Sequence, residues 1–296
     1  MNIRKARMSR GFGSKMSIDM HMHSVYSDGA WTPAELVRDA KEKQLSVISL
    51  TDHDTIAGLC EARKQAELAG IQFVDGVEIN SFYRLGDKRI NIHVLGYLFY
   101  PNRLEPYMMR LKKVRDEHNE AIRKALSLNS IEICCEDMDL PSEHSMVNRL
   151  YFAEVLVRKG YAKNVKEALA RYLRKGGIAY VEGNYPSFRE VARKIKEAGG
   201  LVILAHPGEY SLTDEDAKCL INELMLQGLD GVECIHPSHS KAYAEKVMGW
   251  AKERDLIMTG GSDFHSMDGA VLGRGGDGMR IPQSFYDKLA LGKIPD

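Results

Sequence analysis

From residue 17 onward, short apolar runs alternate with longer stretches in which apolar residues recur every three or four positions. Short runs read as strands, and the 3.6-residue spacing reads as helix. Residues 17–23 form a first strand. Thr32 then caps a helix with Pro33 at its first position and Glu35 three residues after the cap, a capping box. Leu36, Val37 and Ala40 give that helix an apolar face. Residues 46–50 are a second strand, whose apolar run suits burial on both faces. Helix 58–69 stops at Gly70, strand 72–77 follows, and a polar turn at 84–88 precedes strand 90–97. The rhythm then breaks. Residues 104–128 read as a long charged helix, 136–143 as a polar connection, and 147–159 and 165–175 as two more helices. This stretch is too long for a simple crossover, so 101–185 is expected to be a helical insertion covering one end of the main fold. The alternation resumes with helix 187–198, capped by Ser187, strand 201–205, helix 214–227, strand 231–235, helix 239–254 and strand 256–260. A short helix lies in the tail beyond residue 281.

Seven parallel strands alternating with helices define an α/β fold, either an open sheet or a closed barrel. An open sheet gathers its reactive groups at a switch point, whereas a βα barrel spreads them around the C-terminal rim of its strands. Nearly every strand here ends in a potential metal ligand, which favours closure. The expected barrel comprises residues 17–100 and 186–296. Residues 1–16, with Arg4, Lys5, Arg7, Arg10 and Lys15, lack the apolar core of a signal peptide and are expected to be a flexible basic leader.

Composition narrows the function. A chain of 296 residues, 44% hydrophobic and 28% charged, has apolar mass for one large domain with an inserted smaller one. Lys plus Arg and Asp plus Glu both number 41, so general attraction to long nucleic acid is not expected. Adjacent Cys134 and Cys135, with isolated Cys60, Cys219 and Cys234, show no disulfide framework. Reduced thiols and a cytoplasmic location are expected. No apolar stretch has transmembrane length, so no membrane partner is expected.

The chemistry starts in "DMHMHSVYSDG", residues 19–29. Side chains alternate along a strand, so His21 and His23 face one point. Asp28 follows in the loop. "TDHD" supplies Asp52, His53 and Asp54, "GVEIN" supplies Glu78, "NIHVLGY" supplies His93, and strand five leads into His206. "GGSDFH" supplies Asp263 and His265. Nine such groups at one end of successive strands would be costly to bury without compensation, and cations supply it. Asp52 either orients a ligand histidine as an acceptor or holds the strand-to-helix turn. Asp54 is expected to cap the next helix.

The ordered motifs "DMHMHSVYSDG", "TDHDT", "GVEIN", "IHVLGY", "LAHPGEY" and "GGSDFH" resemble the PHP superfamily, named for polymerase and histidinol phosphatase. The resemblance implies a distorted seven-stranded (β/α)7 barrel and a trinuclear site. His21, His23, Glu78 and Asp263 would hold one metal. Glu78 would bridge to a second, also held by His93 and His206. Asp28, His53 and His265 would hold a third. Mixed nitrogen and oxygen donors suit Mn, Fe or Zn. Clustered dications lower the pKa of bound water, and a metal-bound hydroxide can attack phosphorus in line with the ester oxygen.

Around such a site, His236 and His239 in "VECIHPSHS" are candidate phosphate or leaving-group contacts and assisting catalytic groups. Arg149, in "VNRLYFAEVLV", and Arg274, in "GRGG", are candidates for gripping a second phosphate. His118 and His144 are expected on the polar faces of the insertion, with closing down on substrate the alternative. Tyr97, Phe99 and Tyr100 read as packing residues, with base stacking the alternative. The insertion and "HPGEY" resemble bacterial phosphoesterases, some of which remove the 3′-phosphate of 3′,5′-nucleoside bisphosphates while others act on short RNA. Where close relatives carry Arg-Pro-His, this chain has Arg149-Leu150-Tyr151. The arginine is kept; the proline and histidine are not. The expected activity is phosphomonoester hydrolysis on a small phosphorylated metabolite or nucleotide, with a short oligonucleotide as a further partner. Cyclic sugar-phosphate phosphodiesterase and histidinol-phosphate phosphatase are the alternatives.

Overall fold

The structure, a computed structural model, describes residues 17–140, 145–266 and 269–291. The expected leader and His144 lie outside the described residues. Seven strands form one mixed sheet in sequential order: β1 (Ser17–Asp19), β2 (Leu45–Leu50), β3 (Gln72–Leu85), β4 (Lys88–Tyr97), β5 (Leu201–Leu204), β6 (Gly231–Ile235) and β7 (Ile257–Gly260). The first three strands run parallel to one another, as do the last three. β4 is antiparallel to both neighbours, which corrects the expectation of seven parallel strands. The reason is local. Only Gly86 and Asp87 separate β3 from β4, and two residues close a hairpin but cannot make a crossover. Gly86 supplies the positive φ of 58° that the turn needs. β3 also runs well past residue 77. Its first four residues pair with β2, and the rest pair with β4.

β1 stops at Asp19 rather than His23. The buried Asp19 carboxylate accepts the N–H groups of His21, Ser262 and Gly273, drawing the chain out of the regular ladder. The residues beyond it are clamped from two sides. Met20 N donates to Gly260 O and His23 N to Phe264 O, while Thr51 N donates to Met22 O. The two histidines are thereby wedged between the ends of β2 and β7.

The helices begin and end where local chemistry directs. α1 (Pro33–Glu42) carries the Thr32–Glu35 capping box. α2 (Leu59–Ala69) ends at Gly70 in the left-handed conformation. α3 (Pro101–Ser127), α4 (Arg149–Arg158) and α5 (Val165–Ala168) follow β4. α6 (Phe188–Glu197) is capped by Ser187, and α7 (Asp214–Met225), α8 (Lys241–Glu253) and α9 (Gln283–Leu291) follow among the described residues. Two apolar cores result. The larger lies among the sheet, the flanking helices and the start of α3, where Leu104, Tyr107, Met108 and Leu111 are buried. The smaller gathers Ile122, Leu126, Ile133, Phe152, Leu156 and Tyr172 from the end of α3 and the segments after it. α3 is therefore a strut anchored in both. Among the described residues no helix is long and apolar enough to cross a membrane.

Candidate metal centre

Glu78, on β3, is the hub. It is fully buried, and its two oxygens face different groups of histidines. Oε2 lies 3.2 Å from His21 Nε2, 3.2 Å from His23 Nε2 and 3.1 Å from His53 Nδ1. Oε1 lies 2.8 Å from His93 Nδ1 and 2.9 Å from His206 Nε2, and those two nitrogens are 3.2 Å apart. Asp263 Oδ1 reaches 3.0 Å from His23 Nε2 and 3.3 Å from His21 Nε2. Asp28 Oδ1 lies 3.2 Å from His265 Nε2, and Asp28 Oδ2 lies 3.9 Å from His53 Nε2.

All nine groups thus meet in one place, with His21, His23, Glu78 and Asp263 as one set and Asp28, His23, His53 and His265 as another. Two donors at right angles around an ion, each about 2.1 Å from it, are about 3.0 Å apart. The spacings between these side chains match that edge length. Asp28 Oδ1, His53 Nδ1 and Glu78 Oε2 are buried and have no hydrogen-bond partner among the described residues. Lone pairs with no N–H to face are what a cation accepts, so the donor set fits divalent metal ions.

The electrostatics agree. Burial works against charge on Glu78, but His53, His21 and His93 hold its carboxyl well below the usual range. Burial likewise opposes charge on His23, yet the adjacent carboxylates of Asp263 and Glu78 raise it to about 10. His53 goes the other way, pushed down to about 4 by burial despite Glu78 and Asp28. A neutral His53 keeps a lone pair for a metal.

The backbone makes room for this density. An ideal Cβ on Gly261 would lie 2.0 Å from His21 Cβ, and one on Gly29 would lie 2.2 Å from the carbonyl oxygen of His23. Asp263 adopts φ 47° and Asp54 φ 54°, a left-handed conformation that aspartate tolerates better than most residues.

A family model, PHP domain, matches residues 19–202. The chain belongs to the PHP domain family. His206, Asp263 and His265 lie beyond the matched span, and the tertiary structure brings them to the same PHP centre. Over 251 residues the chain is 34% identical to a 5'-3' exoribonuclease of Haemophilus influenzae, covering 83% of this chain and 89% of that protein. It is 33% identical over 255 residues to the 3',5'-nucleoside bisphosphate phosphatase of Chromobacterium violaceum, covering 84% and 87%. A solved structure from Bifidobacterium adolescentis, described as a candidate metal-dependent phosphoesterase, superposes with a TM-score of 0.80 at 27% identity and covers 95% of this chain and 98% of its own. The family and the donor cluster together make this PHP protein a metal-dependent phosphoesterase, a hydrolase.

Other sequence candidates fare differently. Arg149 lines a cleft of about 390 Å³ whose walls include Asp28, His53 and His93. His118 lines it too. His236 is buried, with Nε2 3.2 Å from Asp263 Oδ2. His239 is not placed to touch substrate. Its Nδ1 donates to Cys234 O, its Nε2 accepts from Gly208 N, and burial lowers it to about 4. Both ring nitrogens are spent on the backbone. Arg274 is not brought to the centre either. It lines a separate cleft with Ser17, Lys43, Gln44 and Leu45, where β1 and β2 begin. Among the described residues Asp52 makes no hydrogen bond to a histidine; it accepts from Ser24 N, Ser24 Oγ and Ser27 Oγ, holding the loop after His23. Asp54 does not cap α2, whose N-cap is Gly58. Its carboxylate instead accepts from Asn80 N and Nδ2 and pairs with Arg115 of α3. Tyr97 is wholly buried and donates to Met20 O, so it is unavailable to a base.

Sequence reasoning passed over Glu233. This buried carboxylate on β6 accepts from His21 Nδ1 at 3.1 Å and from His206 N at 2.8 Å. By taking the proton side of His21 it leaves Nε2 as the lone-pair side facing Glu78 and Asp263. The signal was available: a glutamate inside the apolar run "GVECI" is costly unless partnered.

Proposed function

We propose that this protein removes the 3′-phosphate of a 3′,5′-nucleoside bisphosphate. The observation that carries the reading is the adjacency of the donor cluster to an arginine-lined cleft. Three sets of side chains suit three dications of Mn, Fe or Zn. His21, His23, Glu78 and Asp263 would hold one, Glu78 with His93 and His206 a second, and Asp28, His53 and His265 a third. Dications bound there supply Lewis acidity and a water of lowered pKa.

The chain's own residues do the rest. Glu78 shares its two oxygens between neighbouring sets, and Glu233 fixes the tautomer of His21. Arg115, Arg149 and Arg174 line the cleft beside Asp28 and His53. The buried Nε atoms of Arg115 and Arg149 find no partner among the described residues. Guanidinium donors left unpaired beside the cluster suit a second, non-reacting phosphate. His236, whose Nε2 lies 3.2 Å from Asp263 Oδ2 and has no hydrogen-bond partner among the described residues, is read as an assisting group beside that carboxylate. Residues 101–185 are read as an insertion that covers the site, over a distorted seven-stranded barrel; the hydrogen bonds from the segment after β1 to the end of β7 and the loop after it support that closure.

The H. influenzae relative favours short RNA as a second substrate class, since the same arginines would hold a terminal phosphate. A panel at equal enzyme and metal would compare 3′,5′-bisphosphates, short 5′-phosphorylated RNA, cyclic ribose phosphates and histidinol phosphate. The expected result is highest kcat/KM on the bisphosphates. A hundredfold preference for cyclic ribose phosphates or histidinol phosphate would overturn the reading.

A further inference from the structure

We infer that Asn148, at the start of α4 in the insertion, is a positioning residue for Asp28 and couples the cap over the site to occupancy of the third metal set. The inference rests on the assignment of Asp28 as a ligand. Four consecutive residues of the loop after His23 each accept a hydrogen bond from the segment that starts α4. Ser145 Oγ donates to Val25 O, Met146 N to Tyr26 O, Tyr151 OH to Ser27 O, and Asn148 Nδ2 to Asp28 Oδ2 at 2.9 Å. The insertion is thus fastened along the loop that carries the carboxylate.

Asn148 differs from the other three because it grips the ligand side chain itself. It holds Oδ2 and leaves Asp28 Oδ1, buried and without a hydrogen-bond partner, 3.2 Å from His265 Nε2. A carboxylate pinned by one oxygen cannot rotate its other oxygen away from the ion. The remaining half of the same amide has a second job. Asn148 Oδ1 accepts from Leu150 N and caps α4, whose first residue is Arg149. One side chain therefore sets both the metal-facing oxygen of Asp28 and the start of the helix that carries Arg149 into the cleft.

The test separates these jobs. Asn148→Ser and Asn148→Asp both keep a good helix cap and remove the amide donor. Wild-type, Asn148→Ser, Asn148→Asp and Asp28→Asn proteins would be loaded with Mn and dialysed against a graded chelator series. Metal per chain would be read by elemental analysis, with thermal melting as the check on folding. One metal equivalent should be held about 10- to 100-fold more weakly in both Asn148 variants, with the melting temperature of the chelated protein unchanged. Wild-type retention in both, with loss in Asp28→Asn, overturns the positioning role alone. Wild-type retention in Asp28→Asn as well overturns the ligand assignment beneath it.

Discussion

His21 shows how much depends on single side chains. One ring nitrogen donates to Glu233, and the other faces Glu78 and Asp263 across 3.2 and 3.3 Å. Replacing His21 with Ala should abolish turnover and sharply reduce metal content, read by phosphate release and elemental analysis; retention of both would refute the cluster. Glu233→Gln is gentler. It keeps the shape and removes the charge that fixes the tautomer, so metal should bind about 10- to 100-fold more weakly, as titration with a competing chelator would report. Gly261 matters for space alone. With a Cβ there only 2.0 Å from that of His21, Gly261→Ala should cost about 1–3 kcal/mol in chemical denaturation.

The elements carry these side chains through a few buried ties. Arg115 reaches from α3 to Asp54, whose carboxylate also takes two hydrogen bonds from Asn80 on β3. That pair links the His53 loop, the Glu78 strand and the strut that spans both cores. Both side chains are largely buried, at 12% and 7% exposure. Arg115→Met should therefore cost about 3–5 kcal/mol, because it strands a buried carboxylate. Urea denaturation would measure this, and a cost below 1 kcal/mol would mean that Asn80 alone satisfies Asp54.

Across the whole molecule, the proposed site links metal binding to folding. Its candidate ligands run from His21 to His265, so ions that bind this arrangement and not the unfolded chain would stabilise the whole fold. At a free metal concentration a hundred times Kd the gain is about 2.7 kcal/mol per site. For a chain of this size that raises the melting temperature by several degrees. Calorimetry with Mn and with chelator should show that difference; coincident transitions would mean the ions add no stability.

Short-range physics was legible along the chain. The Thr32–Glu35 box, the Gly70 stop and the order of strands and helices follow from interactions within a few residues. The donor types were legible as well, because imidazoles and carboxylates recur at strand ends. Three-dimensional packing decided what those cues leave open. Glu233 lies 212 residues from the His21 it orients, and no local period relates them. His239 has the same chemistry as the cluster histidines, yet folding commits both its nitrogens to backbone. A two-residue turn reverses β4, and a change of side takes Arg274 to another cleft. Periodicity and capping are properties of neighbours in sequence, whereas a coordination cage is a set of distances, which exists only once strands remote in sequence have been brought side by side.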